Sequence, residues 1–284
     1  MKRLPVILLL ILFYFQGYSQ HPITTGPEKG TLLLIGGHAS DELFLRKFAQ
    51  LLDGTDKPIV LIPTARRKAA VQYEGFLERQ VERFREFGFT DISILHTRDS
   101  SEANKEAFVK PLEKARGVWI MGGRQWRLTD AYLNTLTHRE MKALLNRGGV
   151  IAGTSAGASV QASYLVRGDT QTNTVMMGDH EKGFGFIENI AVDQHLLARN
   201  RHFDMFEILE KKPHLLGVGL DENTGIIVRR DTFEVVGESY VAIYDGTRWS
   251  AEKDTIFELP KEKEEFYFLD KGDKYDMRRR KVIK

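Results

Sequence analysis

Ser155 stands in the run Gly148-Gly149-Val150-Ile151-Ala152-Gly153-Thr154-Ser155-Ala156-Gly157-Ala158-Ser159. Its centre, Gly153 to Gly157, fits G-x-S-x-G, the pattern of a nucleophilic serine at the tip of a sharp strand-to-helix turn. Such a turn strains and crowds the serine, so the flanking residues must lack bulk. The helix that follows directs free N–H groups and its positive dipole end toward an oxygen that becomes charged. The same residues also suit a small-residue turn that packs a helix against a sheet. A serine nucleophile needs a base, and the base needs an orienting carboxylate. Of the eight histidines, His195 has the most telling surroundings: Asp193-Gln194-His195 is followed by Arg199 and Arg201. The segment also reads as a polar helix start with Asp193 as N-cap. On a helix His195 and Arg199 share a face, and Arg201 does not. For the carboxylate, Asp221 and Glu222 both follow Gly217-Val218-Gly219-Leu220, an expected strand. Adjacent residues on a strand face opposite ways, so one of the two points at His195, and spacing does not choose between them.

The elements that must hold these residues alternate. Apolar runs at Thr31–Ile35, Pro58–Pro63, Asp91–Leu95, Gly117–Met121 and Gly149–Thr154 read as buried strands. Helical spacing marks 41–52, 71–87, 102–115 and 137–147 between them. This order predicts an α/β fold: a mostly parallel sheet with helices on both faces. Sites in such sheets form beyond the carboxyl ends of the strands. Gly36-Gly37, Gly122-Gly123 and the Ser155 turn all fall on that edge. Gly36-Gly37-His38 completes no phosphate-loop pattern and reads as tight turn packing. After about residue 165 short strand-like pieces at 226–228, 233–236 and 240–244 predict antiparallel strands added at one side. No linker separates the halves, so 20–284 is expected to be one domain. The stretch 261–284 is highly charged, and Arg278-Arg279-Arg280-Lys281 within it reads as a solvated tail.

The chain opens with Met1-Lys2-Arg3 and an apolar segment from Val6 to Phe15, too short to span a bilayer comfortably. Gly17-Tyr18-Ser19 follows, so 1–19 reads as a signal peptide cleaved after Ser19, and the mature protein as secreted or periplasmic. The loss of Lys2 and Arg3 brings Lys+Arg from 41 to 39 against 39 Asp+Glu, a formally neutral chain. Bulk attraction to nucleic acid or anionic lipid is not expected. After cleavage no stable membrane association is expected either. Cysteine is absent, which excludes disulfides, thiol catalysis and cysteine-ligated metals. Nothing in the pattern calls for a metal or cofactor.

Four motifs occur in a recognisable order. They are Gly122-Gly123-Arg124-Gln125 with Arg127-Leu128, the Ser155 turn, Asp193-Gln194-His195 with Arg199 and Arg201, and Gly219 to Thr224. In these the chain resembles the cyanophycinases, part of a serine peptidase family that includes dipeptidase E. Lys271 to Asp276 also looks like the family's ending. The resemblance implies a flavodoxin-like fold similar to class I glutamine amidotransferases, with serine replacing their cysteine. It implies Ser155 as nucleophile, His195 as general base and acid, and Glu222 as orienting carboxylate. N–H groups near Gly123 and at Ala156 would form the oxyanion hole. Gln125, Asp193, Gln194, Arg199 and Arg201 would line the substrate site, with Arg199 or Arg201 gripping a free carboxylate and Asp193 holding a cationic end. The implied substrates are peptides or a cyanophycin-like polymer, cleaved at aspartyl or β-Asp-Arg units. Members of the family are often dimers, so a homodimer is compatible with the resemblance.

One position departs from it. Cyanophycinases usually carry an arginine nine residues after the histidine, where this chain has Asp204. An anion in a desolvated carboxylate pocket disfavours the same ligand by a few kcal/mol. An aspartyl or isoaspartyl dipeptidase that does not act on cyanophycin is therefore the alternative. A non-catalytic peptide-binding protein on this scaffold would show a damaged set of catalytic residues, and the set here is complete.

Overall fold

The computed structural model describes residues 23–248 and 266–283. The expected signal peptide lies outside the described residues. The first half holds β1 (Thr31–Ile35), α1 (Asp41–Leu52), β2 (Ile59–Ile62), α2 (Lys68–Gln72), α3 (Phe76–Glu86), β3 (Ile92–Ile94), α4 (Glu106–Lys114) and β4 (Gly117–Ile120). Next come α5 (Trp126–Tyr132), α6 (Leu136–Asn146), β5 (Val150–Thr154) and the single turn α7 (Ala156–Ser159). The second half supplies β6 (Ala162–Tyr164), β7 (Ile187–Gln194), α8 (Met205–Lys211), β8 (Leu216–Leu220), β9 (Thr224–Arg229), β10 (Thr232–Gly237) and β11 (Val241–Asp245). Short strands β12 (Phe266–Leu269), β13 (Lys274–Asp276) and β14 (Lys281–Ile283) end the chain. No helix among the described residues is long and apolar enough to cross a membrane.

Strands β3, β2, β4, β5 and β1 lie side by side in that order and run parallel. Their continuous apolar sequences follow from burial on both faces. Leu32 and Leu34 pack with Val60, Val118, Ile120 and Ile151, while Leu33 and Ile35 pack on the opposite face with Leu61, Trp119 and Ala152. Phe44, Phe48 and Phe84 of α1 and α3 cover the second face. Leu112, Tyr132, Met141 and Leu144 of α4 to α6 cover part of the first. Each fully buried side chain of this kind contributes about 1.5–3 kcal/mol.

The expected antiparallel addition is present: β9 pairs with β1, and β10, β13 and β14 extend that side. The rest of the C-terminal half departs from the expectation of one sheet. Strands β6, β7 and β8 run parallel, and β11 and β12 add antiparallel, in a second, five-stranded sheet. One of its faces joins the first core through Ile190, Val192 and Val218, and Met205, Ile208 and Leu209 of α8 help to close the other.

Three local expectations change as well. The helix expected over 71–87 breaks at Tyr73–Gly75, where Gly75 takes φ 73° and starts α3 afresh. Asp193 and Gln194 end strand β7 rather than start a helix, and a turn follows. The charged last stretch, Arg278 to Lys281 included, is not solvated throughout. Tyr275 and Met277 are buried, Tyr275 stacks on Phe233, and Arg280 pairs with Asp245 and donates to the carbonyl of His214.

Candidate active site

Register places the site. Ile35 of β1 and Thr154 of β5 are partners, as are Ile120 of β4 and Gly153. Residues after these strands therefore emerge together at the carboxyl edge. Ser155 has φ 55° and ψ −115°, a sparsely populated combination that costs on the order of 1–3 kcal/mol and persists only where its surroundings enforce it. Its N–H donates to the Ile35 carbonyl at 2.8 Å, and its own carbonyl accepts from Ala158 and Ser159. The glycines of the motif are needed for close approach. A Cβ on Gly153 would lie 2.0 Å from the Gly157 carbonyl oxygen, and one on Gly157 would lie 2.2 Å from that of Ile120. Gly122 passes directly beside the Ser155 side chain, and Gly123 follows with φ 150°.

The second sheet delivers the histidine. Gln194 and Leu220 are register partners on β7 and β8, so His195 and Asp221 leave adjacent strands at one level. His195 Nε2 lies 2.9 Å from Ser155 Oγ, and His195 Nδ1 lies 2.6 Å from Glu222 Oε1. Asp221 has a different task. Its Oδ1 accepts from the N–H groups of Leu197 and Ala198, and its Oδ2 from the Ser239 hydroxyl. The two acids left open by spacing thus divide the work: Asp221 ties down the turn after His195, and Glu222 meets the imidazole. Residues 221–223 are also the crossing from the second sheet to the first. Asn223 secures it by donating its N–H to the Gly37 carbonyl and accepting from the Ser40 N–H.

Gly36-Gly37 packs under this assembly. The Gly36 carbonyl accepts from the His195 N–H at 3.0 Å. At Gly37, with φ 139°, a Cβ would reach within 2.2 Å of the imidazole ring. Burial lowers the His195 pKa below the ordinary histidine value, opposed by the hydrogen bond to Glu222, and the nearby Arg199 lowers it further. The imidazole is then neutral at neutral pH, with Nε2 free to accept when Nδ1–H faces Glu222.

A cavity of about 450 Å³ opens over Ser155. Its walls include Gly122, Gly123, Ser155, Gln194, His195 and Arg199, together with Arg66 and Arg83, which no motif had singled out. Three of the expected lining residues lie behind the wall. Gln125 is fully buried and donates to the Val166 carbonyl. Arg201 is buried and donates to the Gln194 main-chain and side-chain oxygens. Burial pulls its pKa down to about 10, which leaves it cationic at neutral pH. Asp193 is buried against Arg167, whose Nε and Nη2 reach its two oxygens at 2.9 Å each.

Arg167 is the residue that sequence reading missed. Its Nη2 also meets Asp204 Oδ2 at 2.5 Å. Asp204 therefore does not set an anion loose in the substrate pocket. It joins, from a partly exposed position, a cluster with buried Arg167, Asp193 and Arg201 in which the two guanidinium groups balance the two carboxylates. The available signal was chemical: two carboxylates, one at a buried strand end, require a guanidinium, and Arg167 directly follows the apolar Leu165-Val166. A larger open groove of about 1010 Å³ lies at the opposite edge of the first sheet, around Lys29, Arg230 and Asp276, away from Ser155.

Residues 32–236 match the family model described as peptidase family S51. The chain belongs to peptidase family S51. Among curated relatives it is 31% identical over 230 residues to the cyanophycinase of Geminocystis herdmanii, covering 78% of this chain and 83% of that one. It is 31% identical over 241 residues to the cyanophycinase of Nostoc, covering 82% and 79% respectively. The solved structure of a peptidase from an acI-B1 Actinobacterium shares the fold, with a TM-score of 0.61 at 24% identity over 88% of this chain and 98% of that one. A putative peptidase E from Listeria monocytogenes aligns with a TM-score of 0.54 at 15% identity, over 74% and 100%. As an S51 member the chain is a serine-type peptidase.

Proposed function

We propose that Ser155, His195 and Glu222 form the catalytic triad of an exported peptidase that cleaves amide bonds at aspartyl or isoaspartyl units. The observation that carries this reading is the unbroken chain Ser155 Oγ–His195 Nε2–His195 Nδ1–Glu222 Oε1, at 2.9 and 2.6 Å, on a serine held at positive φ. Ser155 Oγ attacks the carbonyl carbon while His195 Nε2 takes its proton, and Glu222 steadies the imidazolium. The oxyanion meets N–H groups near Gly123 and at Ala156; the N–H of Ser155 itself is engaged by Ile35. The imidazolium protonates the departing amine, which leaves an ester on Ser155. His195 then draws a proton from water, the hydroxide opens the ester, and the acid leaves as Ser155 is restored.

Arg199, exposed at the cavity wall, provides a fork for the free carboxylate of an aspartyl unit. Cyanophycinase relatives make β-Asp-Arg units the first substrates to try. The engagement of Asp193 by Arg167 favours the second reading, a dipeptidase acting on other aspartyl peptides, because none of the described residues lining the cavity is a carboxylate that could hold a cationic side chain. The leader-like residues 1–19 support export. Hydrolysis of β-Asp-Arg and a panel of α- and β-aspartyl dipeptides, read by mass, tests the function. Ser155→Ala should lower kcat by at least about 10⁴-fold; a variant that retains the native rate rules out the serine mechanism.

A further inference from the structure

The cavity over Ser155 is walled by three arginines from three different elements. Arg66 comes from the loop after β2, Arg83 from α3 and Arg199 from the turn after β7, and none of the described residues of the wall is a carboxylate. Among the described residues, neither Arg66 nor Arg199 forms an ion pair. The adjoining rim continues the pattern. Arg98, Arg124 and Arg127, from the loops after β3 and β4 and the start of α5, donate to the main-chain carbonyls of Arg66, Asp169 and Ala65. A carbonyl satisfies a guanidinium donor without cancelling its charge. The pKa of Arg127 falls through burial and through the neighbouring Arg98, Arg124 and Arg67, as mutual repulsion requires.

Four described carboxylates behind and beside the histidine are meanwhile engaged. Arg167 holds Asp193 and Asp204, His195 faces Glu222, and main-chain N–H groups hold Asp221. One edge of a nearly neutral chain thus focuses positive charge into a cleft, which concentrates anions and repels cations.

We propose that Arg66 is a specificity-determining residue that selects an acidic residue next to the cleaved aspartyl unit, so that an aspartyl dipeptide releasing Asp or Glu is preferred to one releasing Arg. This rests on the reading of Ser155 as the nucleophile of an aspartyl peptidase. An acidic leaving residue carries two carboxylates, each able to take a guanidinium fork, whereas an arginine side chain adds a cation to a cationic wall.

The test compares kcat/KM of the mature chain for Asp-Asp, Asp-Ala and Asp-Arg in both α and β linkages. Measurements are made at about 50 mM and about 500 mM NaCl, between which screening shortens to a few ångströms. The order Asp over Ala over Arg is expected, with Asp-Asp at least about 10-fold ahead of Asp-Arg at low salt and the gap narrowing at high salt. Arg66 is exposed, so Arg66→Glu and Arg66→Ala should fold and should reduce that ratio, Glu more than Ala. Equal or better cleavage of Asp-Arg, or a ratio unmoved by Arg66→Glu, overturns the proposal while leaving the aspartyl peptidase reading intact. Hydrolysis of none of these substrates overturns that reading, and the proposal with it.

Discussion

Ser155 and His195 each carry a non-glycine backbone at positive φ, 55° and 56°. The two strained residues face each other across 2.9 Å. Strain of this kind is retained where it aims a reacting group. The state of His195 sets the pH range. Its pKa lies below the ordinary histidine value because burial disfavours the imidazolium, with the Arg199 charge acting in the same direction. A base must be unprotonated, so kcat/KM is high above this pKa and falls as pH drops through it. Replacing Arg199 by Gln removes a cation that opposes protonation, so the His195 pKa rises and the acid limb should move to higher pH. A pH profile of kcat/KM for the two enzymes checks this. An acid limb that stays in place, or moves to lower pH, contradicts the role given to Arg199.

At the scale of elements, the site depends on the three-residue crossing from β8 to β9. Glu222 and Asp221 are neighbours, yet one meets the imidazole and the other holds the turn behind it. Glu222→Gln should keep the fold and lower kcat by about 10²–10⁴-fold, because the remaining amide no longer stabilises the imidazolium. Asp221→Asn weakens two charge-assisted bonds to main-chain N–H groups and should cost about 1–3 kcal/mol of stability. Thermal unfolding and kcat measured on both variants separate these effects, and equal loss of stability in the two contradicts the division. Much of this was legible beforehand. β1, β2, β4 and β5 are buried on both faces and so read as unbroken apolar runs. Ser155 and His195 stand out because small or polar residues crowd them. Spacing did not choose between Asp221 and Glu222, since the choice depends on where β8 leaves its sheet; only the family resemblance pointed to Glu222. Arg167 was not legible: it lies 26 residues from Asp193 and finds it only because β6 and β7 pair.

Across the whole molecule, the first sheet positions Ser155, the second positions His195, and the crossing between them positions Glu222. The second sheet escaped sequence reading for a local reason: β6 has three residues, and polar Glu188 and Asn189 interrupt β7 near its start. Arg278 to Lys281 is not wholly solvated because Arg280 pairs with Asp245, and the charged stretch before it holds two core anchors, Tyr275 and Met277. Charge is a property of the whole chain as well. Loss of residues 1–19 would make the protein formally neutral, so the positive cleft at the carboxyl edge arises from distribution and not from excess. N-terminal sequencing of the protein recovered outside the cytoplasm should begin at Gln20 or within a few residues of it. Recovery of the full chain, beginning at Met1, from the cytoplasm contradicts export.

The central claim is that Ser155 is a hydroxyl activated by His195. A fluorophosphonate transfers phosphorus to an activated serine oxygen and loses fluoride, so the site of attack can be read directly by peptide mass. The adduct should fall on Ser155 in the native protein, and labelling should be lost or slowed by at least about 10³-fold in His195→Ala. An adduct on another residue, or labelling of Ser155 at the native rate without His195, contradicts the claim.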